Sequence, residues 1–240
     1  MYKNIEWHGY EGLEFEFEGL SACVIKPNCK PNKKWALKTE YFDAFPETEI
    51  ELLERGWHIA FNTNENRYAE NYDLNRKSRF LDFVSKNFSL SEKCALIGMS
   101  CGGLYAVKLA AMRPEKISAI WLDAPVLNLL SFPCKFGIGQ VDCYDEYYGF
   151  TGRTKSEMLS YREHPIDKMH VLLKNDIPIL LIAGDSDTVV PYEENGKLLE
   201  DYYTSNGGTI KVVIKRGADH HPHGLEDPKE VADIIESFCK

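Results

Sequence analysis

The 240-residue chain is 44% hydrophobic and 27% charged and carries a net charge of −9. That balance describes a globular domain with a substantial core and argues against nucleic acid or an anionic membrane surface as a partner. Its seven cysteines, an odd number without C-x-x-C spacing, suit reduced thiols better than a disulfide framework or a zinc site.

MYKNIEWHGYEG shows no basic region followed by an apolar run, and no apolar run approaches the ~20 residues of a membrane-spanning helix. The expected location is cytoplasmic. Leu13 to Phe17 (LEFEF) alternates apolar and acidic residues, the pattern of a half-exposed strand, and Ser21 to Lys26 (SACVIK) reads as its antiparallel partner across Gly19-Leu20. A polar loop, Asn28 to Lys34, leads into Trp35-Ala36-Leu37-Lys38. The apolar spacing of Phe42, Phe45, Ile50, Leu52 and Leu53 predicts a helix from about Thr39 to Arg55, interrupted near Pro46 and stopped at Gly56. Trp57 to Phe61 reads as a strand, Asn62 to Asn71 as a polar loop, and Asp73 to Asn87 as an amphipathic helix.

Lys93 to Pro114, KCALIGMSCGGLYAVKLAAMRP, is the densest signal in the chain. Cys94-Ala95-Leu96-Ile97 has the continuous apolar character of a parallel strand buried on both faces. Gly98-Met99-Ser100-Cys101-Gly102 follows at once, and a helical pattern then runs to Pro114. Strand, G-x-S-x-G, helix is the order of a nucleophile elbow. A backbone that lifts a serine clear of a sheet reverses within a few residues and crowds the strand against the helix, so the positions two before and two after Ser100 must lack side chains. The Cys101 amide then opens the helix, a natural donor to an oxyanion.

Ile117 to Leu122 is a further strand ending in Asp123. From Ala124 to about Asp176 the alternation breaks, with prolines, glycines and the cluster Tyr144, Tyr147, Tyr148 and Phe150; this segment reads as a small cap inserted over the sheet. Alternation resumes with the strand Pro178 to Ala183, the acidic turn Gly184-Asp185-Ser186-Asp187, a helix from Tyr192 to Ser205, the strand Thr209 to Lys215, the cluster Asp219-His220-His221-Pro222-His223, and a closing helix from Asp227 to Cys239. Strands alternating with helices along the chain imply a single α/β domain with an open, mostly parallel sheet covered on both faces.

Reactive groups in such sheets gather beyond the carboxyl ends of the strands. Ser100, an acid after Ala183 and a histidine after Lys215 occupy that position, in the order Ser, Asp, His. A serine hydroxyl needs a base to take its proton during attack, and imidazole held by a carboxylate fills that role. His220, the first histidine past the strand, is the expected base, with His221 as the alternative. Asp187, ahead of Val189-Val190-Pro191, is the expected acid, with Asp123 as the alternative and Asp185 reserved for holding its turn. Cys101 falls off the glycine-flanked apex and is not the expected nucleophile. Asp219, His220, His221 and His223 lack the helical spacing of an H-E-x-x-H site, so no metal is expected, and no G-x-G-x-x-G follows a strand to suggest a dinucleotide.

GMSCGG, GDSDTVVP and GADHHPHGLEDP resemble the α/β-hydrolase superfamily over essentially the whole chain, within it a bacterial esterase-like group, some members of which are associated with carbohydrate-ester degradation. Trp35-Ala36-Leu37-Lys38 stands where that group has W-x-W-R, and Cys101 stands where it commonly has arginine. The resemblance implies a serine hydrolase of carboxylic esters acting without a cofactor; the aromatics of the 124–176 segment suggest a modest, partly apolar pocket, and so a small ester of short-acyl or acylated-sugar type. The resemblance also implies a second oxyanion amide from the loop after the strand Ser21 to Lys26, for which Trp35 is the candidate. Cleavage of an amide or peptide by the same triad is the alternative, and a non-catalytic binding protein on the same fold is the third reading.

Overall fold

A computed structural model describes residues 1–239. Strands β1 (Lys3–Trp7), β2 (Tyr10–Phe17) and β3 (Leu20–Ile25) form an antiparallel meander at one edge. The hairpin expected from LEFEF and SACVIK is its inner part. β1 carries no alternating pattern because it is an edge strand with four of its five residues exposed or half-exposed, so no core face marks it.

The chain continues through β4 (Trp35–Lys38), α1 (Glu47–Glu54), β5 (His58–Asn62), α2 (Asn71–Asn87), β6 (Cys94–Met99), α3 (Gly102–Met112) and β7 (Ile117–Asp123). Three short helices follow, α4 (Tyr144–Thr151), α5 (Lys155–Ser160) and α6 (Met169–Lys174). Then come β8 (Ile179–Gly184), α7 (Gly196–Ser205), β9 (Ile210–Lys215) and α8 (Pro228–Phe238). The nine strands lie in the order β1-β2-β3-β5-β4-β6-β7-β8-β9, parallel from β5 onward. This is the α/β-hydrolase arrangement, with helices on both faces. Successive residues of β6 alternate between two cores: Leu96 packs with Phe80, Leu81 and Leu104, whereas Ala95 and Ile97 pack with Leu52, Trp121 and Ile235.

Two predicted helices are shorter than their periodicity suggested. Residues 39–46 form a loop beyond β4 instead of the first half of a helix, with Tyr41 and Phe45 in the left-handed region at φ +55° and +51°. Their aromatics serve separate contacts: Phe42 stacks on Trp7 and Phe61, and Phe45 stacks on His221. The helix expected from Tyr192 is a short 3₁₀ turn, Tyr192–Glu194, and then α7. Asn195 breaks the two because its side-chain oxygen accepts the Leu127 and Asn128 amides at 2.9 and 3.0 Å, tying the start of the 124–176 segment to the sheet. That segment is further anchored by Arg153, whose guanidinium grips Glu70 ahead of α2.

At the carboxyl end of the interior strand β5, Lys77 is fully buried and donates to the Asn62 carbonyl and side-chain oxygen at 2.9 and 3.1 Å. Burial pulls its ammonium down to about 7. The folded value lies below the unfolded one, so the cost of burying this lysine is fully present below pH 7 and fades as the pH rises toward 10.5. Lys77→Met removes that dependence. Wild type should gain on the variant by up to about 1.4 kcal/mol per pH unit between pH 7 and 9, read by urea unfolding, and parallel curves would refute the assignment.

Candidate active site

Ser100 follows β6 directly and holds φ +50°, a conformation non-glycine residues seldom adopt. Three backbone bonds hold it there: the Ser100 amide donates to the Asp123 carbonyl at 3.0 Å, and the Ser100 carbonyl accepts the Gly103 and Val126 amides, each at 2.9 Å. A methyl on Gly98 would stand 2.8 Å from the Gly102 carbonyl and 2.9 Å from the Ala106 side chain, so helix and strand leave no room there. At Gly102 the crowding comes instead from Thr39, at 3.0 Å, and the tightest contact belongs to Gly103, where a methyl would lie 2.5 Å from Pro125. Gly98→Ala should therefore lower stability by about 1–3 kcal/mol and displace Ser100, measurable by urea unfolding and turnover together; a variant equal to wild type in both would refute the packing argument.

The Ser100 hydroxyl lies 3.0 Å from His220 Nε2, and His220 Nδ1 lies 2.8 Å from Asp187 Oδ2. The other Asp187 oxygen accepts the Val189 and Val190 amides at 2.9 and 2.8 Å, which pins the carboxylate from the side away from the histidine. Both His220 and Asp187 are buried. Asp185 occupies a different position, accepting the Gly217 amide at 2.6 Å and joining the β8 and β9 turns. Asp219 joins them a second time, since one of its oxygens accepts the Thr188 and His220 amides, both at 2.8 Å. Those bonds hold the exposed Asp219 carboxyl below its ordinary range, the Thr188 amide most of all.

The two alternatives have other partners. Asp123 bonds to His223 Nδ1 at 2.8 Å and accepts the Gly224 amide at 2.8 Å, so it serves a second buried carboxylate–histidine pair. His221 is exposed and stacks on Phe45, 5.5 Å between ring centroids. Burial first, then the charges of His220 and His223, lower its pKa below the usual imidazole value. The Cys101 thiol is fully buried and pushed up to about 12, chiefly by burial, and remains protonated. Its residue caps α3, which leaves the backbone amide at the helix N-terminus beside Ser100.

Trp35 is a correction. It begins β4, level with His58 at the start of β5, and its indole donates to the Ser91 carbonyl at 2.8 Å, in the loop that enters β6. Ser100 leaves the opposite end of that strand. The carboxyl end of β4 is Lys38, about 10 Å further along, so the Trp35 amide belongs to the wrong edge of the sheet for an oxyanion. The loop after β4 lies at the other end of that strand, where Tyr41 and Phe45 line a cavity of about 330 Å³ together with Ser100, His220, Phe132 and Val141.

Arg67, within the polar loop 62–71, also lines this cavity. Its guanidinium bonds to Glu146 of α4, lies 3.5 Å from the Cys143 thiol and sits over the rings of Tyr68 and Phe132. An arginine after a parallel strand's carboxyl end was the available signal. Among the described residues no helix is long and apolar enough to cross a membrane.

Residues 61–239 match the model of the prolyl oligopeptidase family. Among solved structures, the chain resembles a puromycin-hydrolyzing peptidase of Mycobacterium tuberculosis, with a TM-score of 0.74 and 13% identity over 96% of this chain and 38% of that one. It resembles dipeptidyl peptidase 4 of Porphyromonas gingivalis with a TM-score of 0.72 and 14% identity, over 97% of this chain and 35% of that one. For an acylaminoacyl peptidase of Pyrococcus horikoshii the TM-score is 0.67 and the identity 13%, over 99% and 40% of the respective chains. The chain thus spans less than half the length of each of these proteins.

Proposed function

The chain belongs to the prolyl oligopeptidase family, a family of α/β-hydrolases, and from that premise we propose that this serine hydrolase cleaves the amide bond of a small peptide or acylated amino acid. Ser100 is the nucleophile, His220 the general base and then acid, and Asp187 the group that orients His220. The observation that carries this reading is the unbroken run of hydrogen bonds from the Ser100 hydroxyl through both His220 nitrogens to a carboxylate pinned by two amides.

The chemistry follows from those atoms. As the Ser100 oxygen attacks the carbonyl carbon, its proton moves to His220 Nε2, and the imidazolium so formed is stabilised by Asp187. The oxyanion meets the Cys101 amide at the start of α3, with the Tyr41 loop on the far wall of the cavity. An amine leaves only when protonated, and His220 Nε2 is the group placed to return the proton. Water then attacks the acyl-enzyme with His220 again as base.

The same triad cleaves esters, whose leaving group departs more readily, so the ester reading and the amide reading share every residue named. Family membership favours the amide, as does the likeness to three structures that are all peptidases. Matched nitroanilides and nitrophenyl esters of the same aminoacyl and N-acyl-aminoacyl groups, with a fluorophosphonate probe on wild type and Ser100→Ala, test it. Ser100-dependent nitroanilide cleavage is expected. Turnover of esters alone would return the assignment to an esterase, and a wild type that neither labels nor turns over any substrate would favour a binding role.

A further inference from the structure

Three histidines meet at the mouth of the cavity. The rings of His220 and His221 are 4.8 Å apart between centroids, those of His221 and His223 are 4.9 Å apart, and those of His220 and His223 are 5.1 Å apart. One ligating nitrogen from each lies within 4.8 Å of the other two. The spacing H-H-x-H carries no helical periodicity, and the turn after β9 brings the three together where a helix would not.

The Nδ1 atoms of His220 and His223 are each held by a buried carboxylate, Asp187 and Asp123, both at 2.8 Å. That is the outer-shell arrangement of zinc-ligating histidines: the carboxylate fixes the tautomer, and the Nε2 lone pair is left free and more basic. In His220 this lone pair faces Ser100; in His223 no protein group takes it among the described residues. His221 is exposed, has no hydrogen-bonded partner among the described residues, and is held by ring contacts alone, so no hydrogen bond opposes its turning toward the other two.

We propose that His220, His221 and His223 form an inhibitory site for a borderline-soft divalent cation of the Zn²⁺ type, which binds by taking His220 Nε2 away from Ser100. Imidazole nitrogens around tetrahedral zinc stand about 3.3 Å apart, so the separations, at most 4.8 Å, close by up to about 1.5 Å. Three imidazoles leave the fourth position to water. Metal binding and proton transfer use one nitrogen, and the two exclude each other. No bond of substrate or protein is made or broken, and the Ser100 proton stays on its oxygen.

The site goes beyond the proposed peptidase reading. Only its inhibitory consequence rests on His220 being the base, so binding and inhibition are measured separately. Untagged, metal-free Ser100→Ala protein, titrated with Zn²⁺ against a chromophoric chelator, should show one tight site. Adding His221→Ala or His223→Ala should weaken it at least tenfold. Co²⁺ should give the visible bands of a four-coordinate nitrogen-rich centre in Ser100→Ala and lose them in Ser100→Ala/His221→Ala. His221→Phe keeps the stack on Phe45 and removes the ligand, and serves where the alanine variant folds poorly. In wild type, Zn²⁺ should suppress hydrolysis reversibly by chelator, with an inhibitory concentration at least tenfold higher in His221→Phe. Equal Zn²⁺ affinity with and without His221, or equal inhibition of wild type and His221→Phe, overturns the proposal. Wild type without turnover but with the site intact would count against the hydrolase reading and leave the metal site standing.

Discussion

Ser100→Ala should lower kcat by about five to six orders of magnitude while leaving the protein as stable as wild type or slightly more so. The size of the loss follows from what the hydroxyl does. Without it His220 has no proton to take, and the remaining contribution comes from the cavity and the Cys101 amide acting on water, a far poorer pathway. Stability is spared because the strained backbone at φ +50° is held by the bonds to Asp123, Gly103 and Val126, none of which involves the side chain. His220→Ala should cost about as much, and the double variant no more than either alone, because the two groups act as a unit. Single-turnover kinetics with a nitrophenyl ester resolves this range. A Ser100→Ala protein within tenfold of wild type would show that the nucleophile lies elsewhere.

Asp187→Asn and Asp123→Asn should separate two carboxylates that look alike in isolation. Both are buried, and both hold a histidine Nδ1 at 2.8 Å. Only Asp187 is joined through its histidine to Ser100. An amide at position 187 presents either a donor to the imidazole or a weak neutral acceptor, and the imidazolium that forms during attack loses its counter-charge. The expected fall in kcat is about 10⁴-fold, with little change in KM. At position 123 the same change weakens the bonds to His223 and the Gly224 amide, with an expected loss of about 1–3 kcal/mol in urea unfolding and a much smaller effect on kcat. A larger kcat loss at Asp123 than at Asp187 would reverse the roles assigned to the two.

Much of the fold was legible in the residues. The parallel strands β6 and β8 announced themselves as unbroken apolar runs because both of their faces are covered, and α2 and α8 as 3.6-residue periodicities because one face of each is buried. Where burial leaves no pattern, the reading failed. The exposed edge strand β1 went unseen, and the aromatics at 42 and 45 imitated a helical face while each serves a separate contact around a loop. The oxyanion expectation at Trp35 failed because the four residues Trp35–Lys38 are too short a run to announce a strand, and the first residue of a parallel strand lies at the end opposite the elbow.

What the sequence determined by itself is the local chemistry. The elbow GMSCG, the acidic turn behind β8 and the histidines behind β9 are set by short-range rules of turn and strand, and their order along the chain already implied a serine hydrolase. Only the tertiary structure decided which of two aspartates meets which of three histidines. Those choices join residues 33, 100 and 120 positions apart, and they depend on sheet register and on the bonds that Asp185 and Asp219 make between neighbouring loops. The turn after β9 likewise brings H-H-x-H, which has no ligand periodicity along the chain, to within 4.8 Å between one ring nitrogen of each histidine.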